Sequence, residues 1–240
     1  MAQATSARLV SGNVRLRGSE LPYQTYLPSG YTRSRPWLVL LFLHGAGERG
    51  RDGRKQTRVG IGPALRHFPE RFPLLIVMPQ CPTGATWRSV TEQTLLVLKE
   101  TLRNYGGDTA RVYLSGISMG AYGTWELGAL RPDLFAALVP VCGGGDPGLA
   151  ALRLANMPIW AFHGRLDNVV PVEQSREMVA ALRNAGNPRL HYTEYENGGH
   201  NVWDLAYAQD TLLPWLLAQQ NLARARQPES AFRPFGPSGP

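Results

Sequence analysis

The stretch that decides the fold is Arg111-Val-Tyr-Leu-Ser-Gly-Ile-Ser-Met-Gly-Ala-Tyr-Gly-Thr-Trp-Glu-Leu-Gly-Ala-Leu130. Its first four residues, Arg111 to Leu114, are a short β-type apolar run. Its last twelve residues, from Met119, read as a helix. Between them stands Gly116-Ile-Ser-Met-Gly120, a G-x-S-x-G pattern at the junction of strand and helix. The bare pattern is weak evidence. In this setting it describes a nucleophile elbow, a turn so tight that side chains at its two flanks would clash and glycine fits both. Such a turn lifts the Ser118 hydroxyl clear of the sheet edge. It also brings the N–H groups at the start of a helix, that of Met119 first, toward a developing oxyanion. The bland alternative is a serine that merely caps a helix between two glycines.

Outward from the elbow, apolar runs alternate with amphipathic stretches. The runs are Trp37–Leu43, Leu74–Met78, Phe135–Val141 and Pro158–Phe162, with a last strand expected over Arg189–Glu196. Continuous rather than alternating runs suit strands buried on both faces of a parallel sheet. Helical patterns fall over Thr91–Arg103, Met119–Leu130, Val172–Asn184 and Gln209–Gln220. Strand–helix alternation implies βαβ units and a three-layer α/β fold. Arg8–Arg17 and Leu21–Leu27 alternate apolar with polar, as an antiparallel hairpin at a sheet edge would. One domain is expected over residues 1–220. Residues 221–240, rich in Arg, Pro and Gly, are expected to be a poorly ordered tail.

Composition excludes several classes. The chain has 240 residues, 43% of them apolar, enough for a substantial core. No apolar run approaches the length of a membrane span. The net charge is +7, and only Lys55 and Lys99 are lysines, so arginine supplies almost all the positive charge. The arginines are spread along the chain without interleaved aromatics, which argues for a solvated surface rather than a nucleic-acid site. Cys81 and Cys142 form neither a disulfide framework nor a zinc spacing. No metal, organic cofactor, nucleic-acid partner or membrane partner is expected. Met1–Arg8 lacks a basic start followed by an apolar stretch, so a cytoplasmic location is expected.

A serine nucleophile needs a base, and five histidines are available. Functional side chains of open α/β sheets gather at the carboxyl ends of strands. His200, in the loop after the last strand, fits best. His44 and His163 end strands and are expected to bond neighbouring loops; His67 sits at a helix end, and His191 lies mid-strand. The base needs a carboxylate to hold its tautomer and stabilise its charge. Asp167 follows the strand that ends at Phe162, and the order Ser118, Asp167, His200 is that of an α/β-hydrolase. Asp146, Asp204, Glu194 and Glu196 are the rivals. A second oxyanion donor is expected from His44-Gly-Ala-Gly-Glu-Arg-Gly50, with the N–H of Ala46 favoured and Gly45 or Gly47 as alternatives.

These motifs together resemble the α/β-hydrolase serine esterases. The narrower resemblance is to the phospholipase/carboxylesterase and "predicted peptidase" group, near feruloyl esterases and prolyl-oligopeptidase-like hydrolases. It is carried by Tyr26-Leu-Pro-Ser-Gly-Tyr31, Leu43-His-Gly-Ala-Gly-Glu-Arg-Gly50, Pro79-Gln-Cys-Pro82 with Trp87, Gly116–Gly120, Val141-Cys-Gly-Gly-Gly-Asp146, Ala161-Phe-His-Gly164 with Asp167, and Gly198-Gly-His-Asn-Val-Trp-Asp204. The resemblance implies the same three residues as a catalytic triad and Trp87 as a lining residue. Where the family often has a second glycine after the elbow, this chain has Ala121.

The expected fold is therefore an α/β-hydrolase with a mostly parallel sheet and no large lid. Only about sixteen residues separate Val141 from Pro158, the region where lidded relatives insert a cap. An open cleft favours small soluble esters, short-chain or aromatic. Gly45 and Gly47 would let substrate approach the backbone. Trp87 and Trp203 either flank the cleft, where they would stack an aromatic acyl group, or pack under loops. A thioesterase or peptidase on the same scaffold, or a non-catalytic binding protein, are the alternative functions.

Overall fold

The computed structural model describes residues 5–226. Eight strands form one sheet: β1 (Arg8–Leu16), β2 (Ser19–Leu27), β3 (Trp37–Leu43), β4 (Leu75–Pro79), β5 (Gly107–Ile117), β6 (Ala137–Val141), β7 (Ile159–Gly164) and β8 (Leu190–Tyr195). The helices are α1 (Ile61–His67), α2 (Thr91–Tyr105), α3 (Met119–Leu130), α4 (Pro147–Leu154), α5 (Glu173–Asn184), α6 (Trp203–Ala208), α7 (Leu212–Leu217) and α8 (Leu222–Ala225). The sheet order is β1-β2-β4-β3-β5-β6-β7-β8. From β4 through β8 every pairing is parallel, and only β2 runs against its neighbours.

The apolar runs became the central strands for the reason that the pattern suggests. Leu40, Leu41, Phe42 and Leu43 are buried without a break, as are all five residues of β4 and of β6. Helices cover both faces and divide the core in two. Trp37, Val39, Leu41 and Leu43 pack with Leu95 and Leu98 of α2 and Trp125 of α3 on one face. Leu40 and Phe42 pack with Ile61 of α1 and Val202, Tyr207 and Leu216 on the other. Successive β3 residues thus alternate between two apolar layers, which is why the run is continuous.

The N-terminal hairpin stands at the sheet edge, as its alternation implies. Arg17 and Gly18 make its two-residue turn, both with positive φ (50° and 80°), the geometry that matches the twist of the flanking strands.

Three expectations change. The strand expected over Arg111–Leu114 starts four residues earlier, because Gly107 pairs with Trp37 and carries the polar Asp108 and Thr109 into the sheet. The helix expected over Gln209–Gln220 shortens to Leu212–Leu217, since Gln209 ends α6 in extended backbone with ψ 121°. The poorly ordered tail does not begin at 221. Asn221 donates its backbone N–H to Ala110 O at 2.8 Å and its side-chain N–H to Asp133 O at 2.9 Å. Arg224 forms an ion pair with Asp133 at 2.7 Å. Residues 227–240 of that tail lie outside the described residues. The segment between β6 and β7 holds one eight-residue helix, α4, and no inserted cap.

Candidate active site

The elbow is strained where the pattern requires it. Ser118 has φ 53° and ψ −118°, a conformation that costs a non-glycine residue of order 1–3 kcal/mol unless its surroundings hold it. They do so here: Ser118 donates its N–H to Val141 O at the end of β6, and its own carbonyl accepts from Ala121 N–H. The flanking glycines are needed for space. A Cβ on Gly116 would lie 2.2 Å from the Gly120 carbonyl oxygen, and one on Gly120 would lie 1.9 Å from that of Leu43.

Two further loops meet at the same edge. After β7 the chain turns at Asp167, whose Oδ1 accepts the N–H groups of Val169 and Val170, each at 2.9 Å. After β8 it turns through Gly198 and Gly199 to His200. These two loops are bonded to each other, since Leu166 N–H donates to Gly198 O and Arg165 N–H to Tyr195 O, both at 2.9 Å. Beyond His200, α6 is anchored by Tyr207, whose buried hydroxyl lies 2.7 Å from Ser115 Oγ of β5. His200 is thus held between two fixed points.

This framework brings together three side chains far apart in sequence. Ser118 Oγ lies 2.9 Å from His200 Nε2, and His200 Nδ1 lies 2.7 Å from Asp167 Oδ2. The serine hydroxyl donates to a bare Nε2 while the Nδ1–H donates to the carboxylate. That is the hydrogen-bond pattern of a general base beside a nucleophile. Burial alone would raise the Asp167 pKa. The N–H groups of His200, Val170 and Val169 outweigh it and hold the carboxyl below the usual carboxylate range. His200 keeps about a fifth of its side chain exposed, while the Asp167 carboxylate is enclosed. The Trp203 ring stands edge-on to the His200 ring, with centroids 5.3 Å apart.

The rivals for the acid stand elsewhere. Asp146 caps α4 by accepting Leu149 N–H at 2.9 Å. Glu194 pairs with Arg176, Glu196 with Arg165, and Asp204 lies in the first turn of α6.

The loop after β3 closes over the serine. Ala46–Glu48 form a single 3-10 turn, and the Gly45 Cβ position lies 3.6 Å from Ser118 Cβ. The N–H groups of Ala46 and Met119 each open a helical turn and so have no partner within it. Glu48 is a neighbour that the motif reading did not single out. Its carboxylate comes within 3.2 Å of the Gly45 Cβ position. Burial pushes its pKa up, opposed by the N–H groups of Glu48 and Gly45. The Gly45 N–H therefore faces Glu48. Gly47 is exposed, with open space where a side chain would stand.

Trp87 is a correction. It is 3% exposed, donates its ring N–H to His44 O at 3.0 Å and stands edge-on to the His44 ring. It supports the end of β3 from beneath and lines no open cleft. An aromatic in a family motif reads the same from sequence whether it faces ligand or core.

His44 and His163 both bond neighbouring loops. His44 Nδ1–H donates to Gly45 O at 2.6 Å, and its Nε2 accepts Cys81 N–H at 2.9 Å. A second proton on Nε2 would break the Cys81 bond, and burial lowers the His44 pKa from 6.5 to about 4. Unfolded His44 takes up a proton below pH 6.5, whereas folded His44 resists until about 4. Its contribution to stability is therefore complete above pH 6.5 and falls as the pH drops toward 4. The expected loss at pH 4 is about 3 kcal/mol from this residue. Urea unfolding at pH 7 and pH 4.5, with His44→Gln alongside, checks this. The variant should be less stable at neutral pH and show the shallower pH slope; equal slopes would contradict the assignment.

Cys142 sits beside the acid, with its Sγ, a carboxylate oxygen of Asp167 and a ring nitrogen of His200 all within 4.8 Å of one another. Burial first, and then the Asp167 charge, push its thiol up to about 12. It stays protonated and is no rival nucleophile.

Comparison with known proteins agrees with this architecture. No family model matches the chain. It is 27% identical over 165 residues to a bifunctional acetylxylan esterase/xylanase of Neocallimastix patriciarum, a match covering 67% of this chain and 23% of that protein. Among solved structures, a thermostable esterase is 33% identical with a TM-score of 0.81, covering 88% of this chain and 63% of that one. The feruloyl esterase module from Clostridium thermocellum complexed with sinapinate has a TM-score of 0.72 at 15% identity, covering 91% and 90%. The chain thus spans less than two thirds of the first two. Among the described residues, no helix is long and apolar enough to cross a membrane. By its eight-stranded, mostly parallel sheet and these likenesses the chain has the α/β-hydrolase fold, and it is similar to acetylxylan and feruloyl esterases.

Proposed function

We propose that the protein is a serine carboxylesterase that hydrolyses small soluble esters with short-chain or aromatic acyl groups. The observation that carries this reading is the continuous hydrogen-bonded array from Ser118 through His200 to Asp167. In the proposed reaction His200 Nε2 takes the Ser118 proton as Oγ attacks the ester carbonyl. The N–H groups of Met119 and Ala46 hold the oxyanion, and Asp167 stabilises the imidazolium. His200 then protonates the leaving alcohol, and water repeats the sequence on the acyl-enzyme.

The substrate class is supported by the short β6–β7 connection, which holds α4 and no cap, and by Trp203 at the edge of His200. The Neocallimastix patriciarum relative is by name an acetylxylan esterase/xylanase, and one structural neighbour is complexed with sinapinate. The substrate partner is therefore a small-molecule ester. A cytoplasmic location is in keeping with Cys81 and Cys142, both free and buried.

Hydrolysis of p-nitrophenyl esters from acetate to palmitate, together with methyl ferulate, tests the proposal. Highest kcat/KM at acetate to butyrate is expected, with methyl ferulate hydrolysed. A long-chain optimum would overturn the open-cleft reading. Turnover of thioesters or amides alone would replace the esterase with a different acyl hydrolase.

A further inference from the structure

His163, at the end of β7, lies directly behind the acid and is fully buried. Its Nε2 faces two acceptors, Val170 O at 3.0 Å and Asp167 Oδ2 at 3.2 Å. A nitrogen that faces only acceptors must carry hydrogen. On the other side of the ring, Nδ1 lies 2.7 Å from Ser175 Oγ, and that hydroxyl also lies 2.8 Å from Gly143 O. One hydroxyl hydrogen serves one of these. If it goes to Nδ1, the His163 ring is neutral; if it goes to Gly143, Nδ1 must carry a hydrogen of its own and the ring is charged.

We propose that His163 is a positioning residue for Asp167: a neutral ring, hydrogen on Nε2, with Ser175 donating to Nδ1 and locking that tautomer. Asp167 Oδ2 then receives two ring N–H donors, from His200 and from His163. Its Oδ1 receives the two backbone N–H groups of Val169 and Val170. Because the His163 N–H is shared with Val170 O, the same bond ties down the turn that supplies those backbone donors. The carboxylate is held from opposite sides and has no free rotation. The other titratable groups around it are Cys142 after β6 and Tyr122 on α3; the thiol and phenol pKa values of both are raised, so neither carries charge at neutral pH. Burial pushes the His163 pKa below the usual histidine range, in keeping with a neutral ring.

The inference rests on Asp167 being the acid of the proposed esterase, and its tests separate the two. In the unmutated protein labelled with 15N-histidine, long-range 1H–15N spectra at neutral pH should show His163 as the neutral Nε2–H tautomer. A charged ring or the Nδ1–H tautomer would overturn the proposal. His163→Gln keeps an N–H near the Nε2 position, whereas His163→Phe keeps the ring and loses the donor. His163→Phe should lower kcat for p-nitrophenyl acetate about 10- to 100-fold, with KM within about twofold, and should lose the low-field His200 Nδ1–H resonance. His163→Gln should keep at least about a third of kcat. A folded His163→Phe with unmutated kcat, or a His163→Gln that falls as far, would reduce His163 to packing. If His163→Phe does not fold, the spectra of the unmutated protein still decide. An unmutated protein without esterase activity would defeat the proposed function and leave the His163 tautomer to be judged on its own.

Discussion

Ser118→Ala is expected to lower kcat for p-nitrophenyl acetate by about 10⁵- to 10⁶-fold, with KM changed by less than about threefold. The hydroxyl is the only part of Ser118 that the proposed chemistry uses. Its removal deprives His200 of a proton to take and the acyl group of an oxygen to bind. The N–H groups of Ala46 and Met119 remain, so substrate still binds and a weak residual acceleration survives. The fold should be unaffected, because the strained φ of 53° is imposed by the Ser118 N–H bond to Val141 O and by the close approach of Gly120 to Leu43, neither of which involves the hydroxyl. Kinetics with active-site titration by a fluorophosphonate measure the effect. The unmutated chain should be labelled stoichiometrically and the variant not at all. A variant that keeps one tenth of the activity would remove Ser118 from the mechanism.

Asp167→Asn should cost about 10⁴-fold in kcat, again with little change in KM. The size of the effect comes from the tautomer rather than from the loss of charge alone. Asn fits the space, and its carbonyl oxygen can take over the Val169 and Val170 N–H groups. Its NH₂ then faces His200 Nδ1, which lies 2.7 Å from the carboxylate in the native chain. An NH₂ there needs an acceptor, so it favours a bare Nδ1 and moves the histidine hydrogen to Nε2, the atom that must receive the Ser118 proton. The base is then presented with the wrong nitrogen protonated. The same NH₂ opposes the Nε2–H of His163, at 3.2 Å from the carboxylate oxygen, so some loss of stability accompanies the loss of rate. Comparison of kcat for Asp167→Asn with that for Asp146→Asn decides between the two aspartates. Asp146→Asn should affect only the capping of α4, by about 0.5 kcal/mol or less. A large kinetic effect at Asp146 and none at Asp167 would reverse the assignment.

Both predictions concern residues that could be picked from sequence, and the reason is local. Ser118 is marked by glycines two residues to either side and by the strand and helix that flank it. The geometry demanding those glycines is a close backbone approach within one turn, so it leaves its trace in consecutive residues. Asp167 and His200 are marked more weakly, by their places after the last strands. Their selection over Asp146 or His191 used the rule that chemistry gathers at the carboxyl ends of parallel strands.

Other features left no such trace. The motif around Trp87 leaves a cleft-lining and an under-loop position equally legible, and the structure takes the second, because its ring N–H is spent on His44 O. The early start of β5 depends on Gly107 meeting Trp37, seventy positions away, and polar residues there gave no strand signal. Residues 221–226 are held by Asp133 and Ala110, partners about ninety to a hundred and ten positions distant.

The sequence by itself determined the buried parallel strands, the helix after the elbow and the strained serine between them. Each is a property of a short window, either a run of apolar side chains that two layers must cover or glycines that one turn cannot do without. Only the tertiary structure decided that Glu48 faces the Gly45 N–H, and that His163, Ser175 and Cys142 surround Asp167. Those outcomes depend on loop register at the sheet edge, where a displacement of one residue would exchange a hydrogen-bond partner without altering any local pattern.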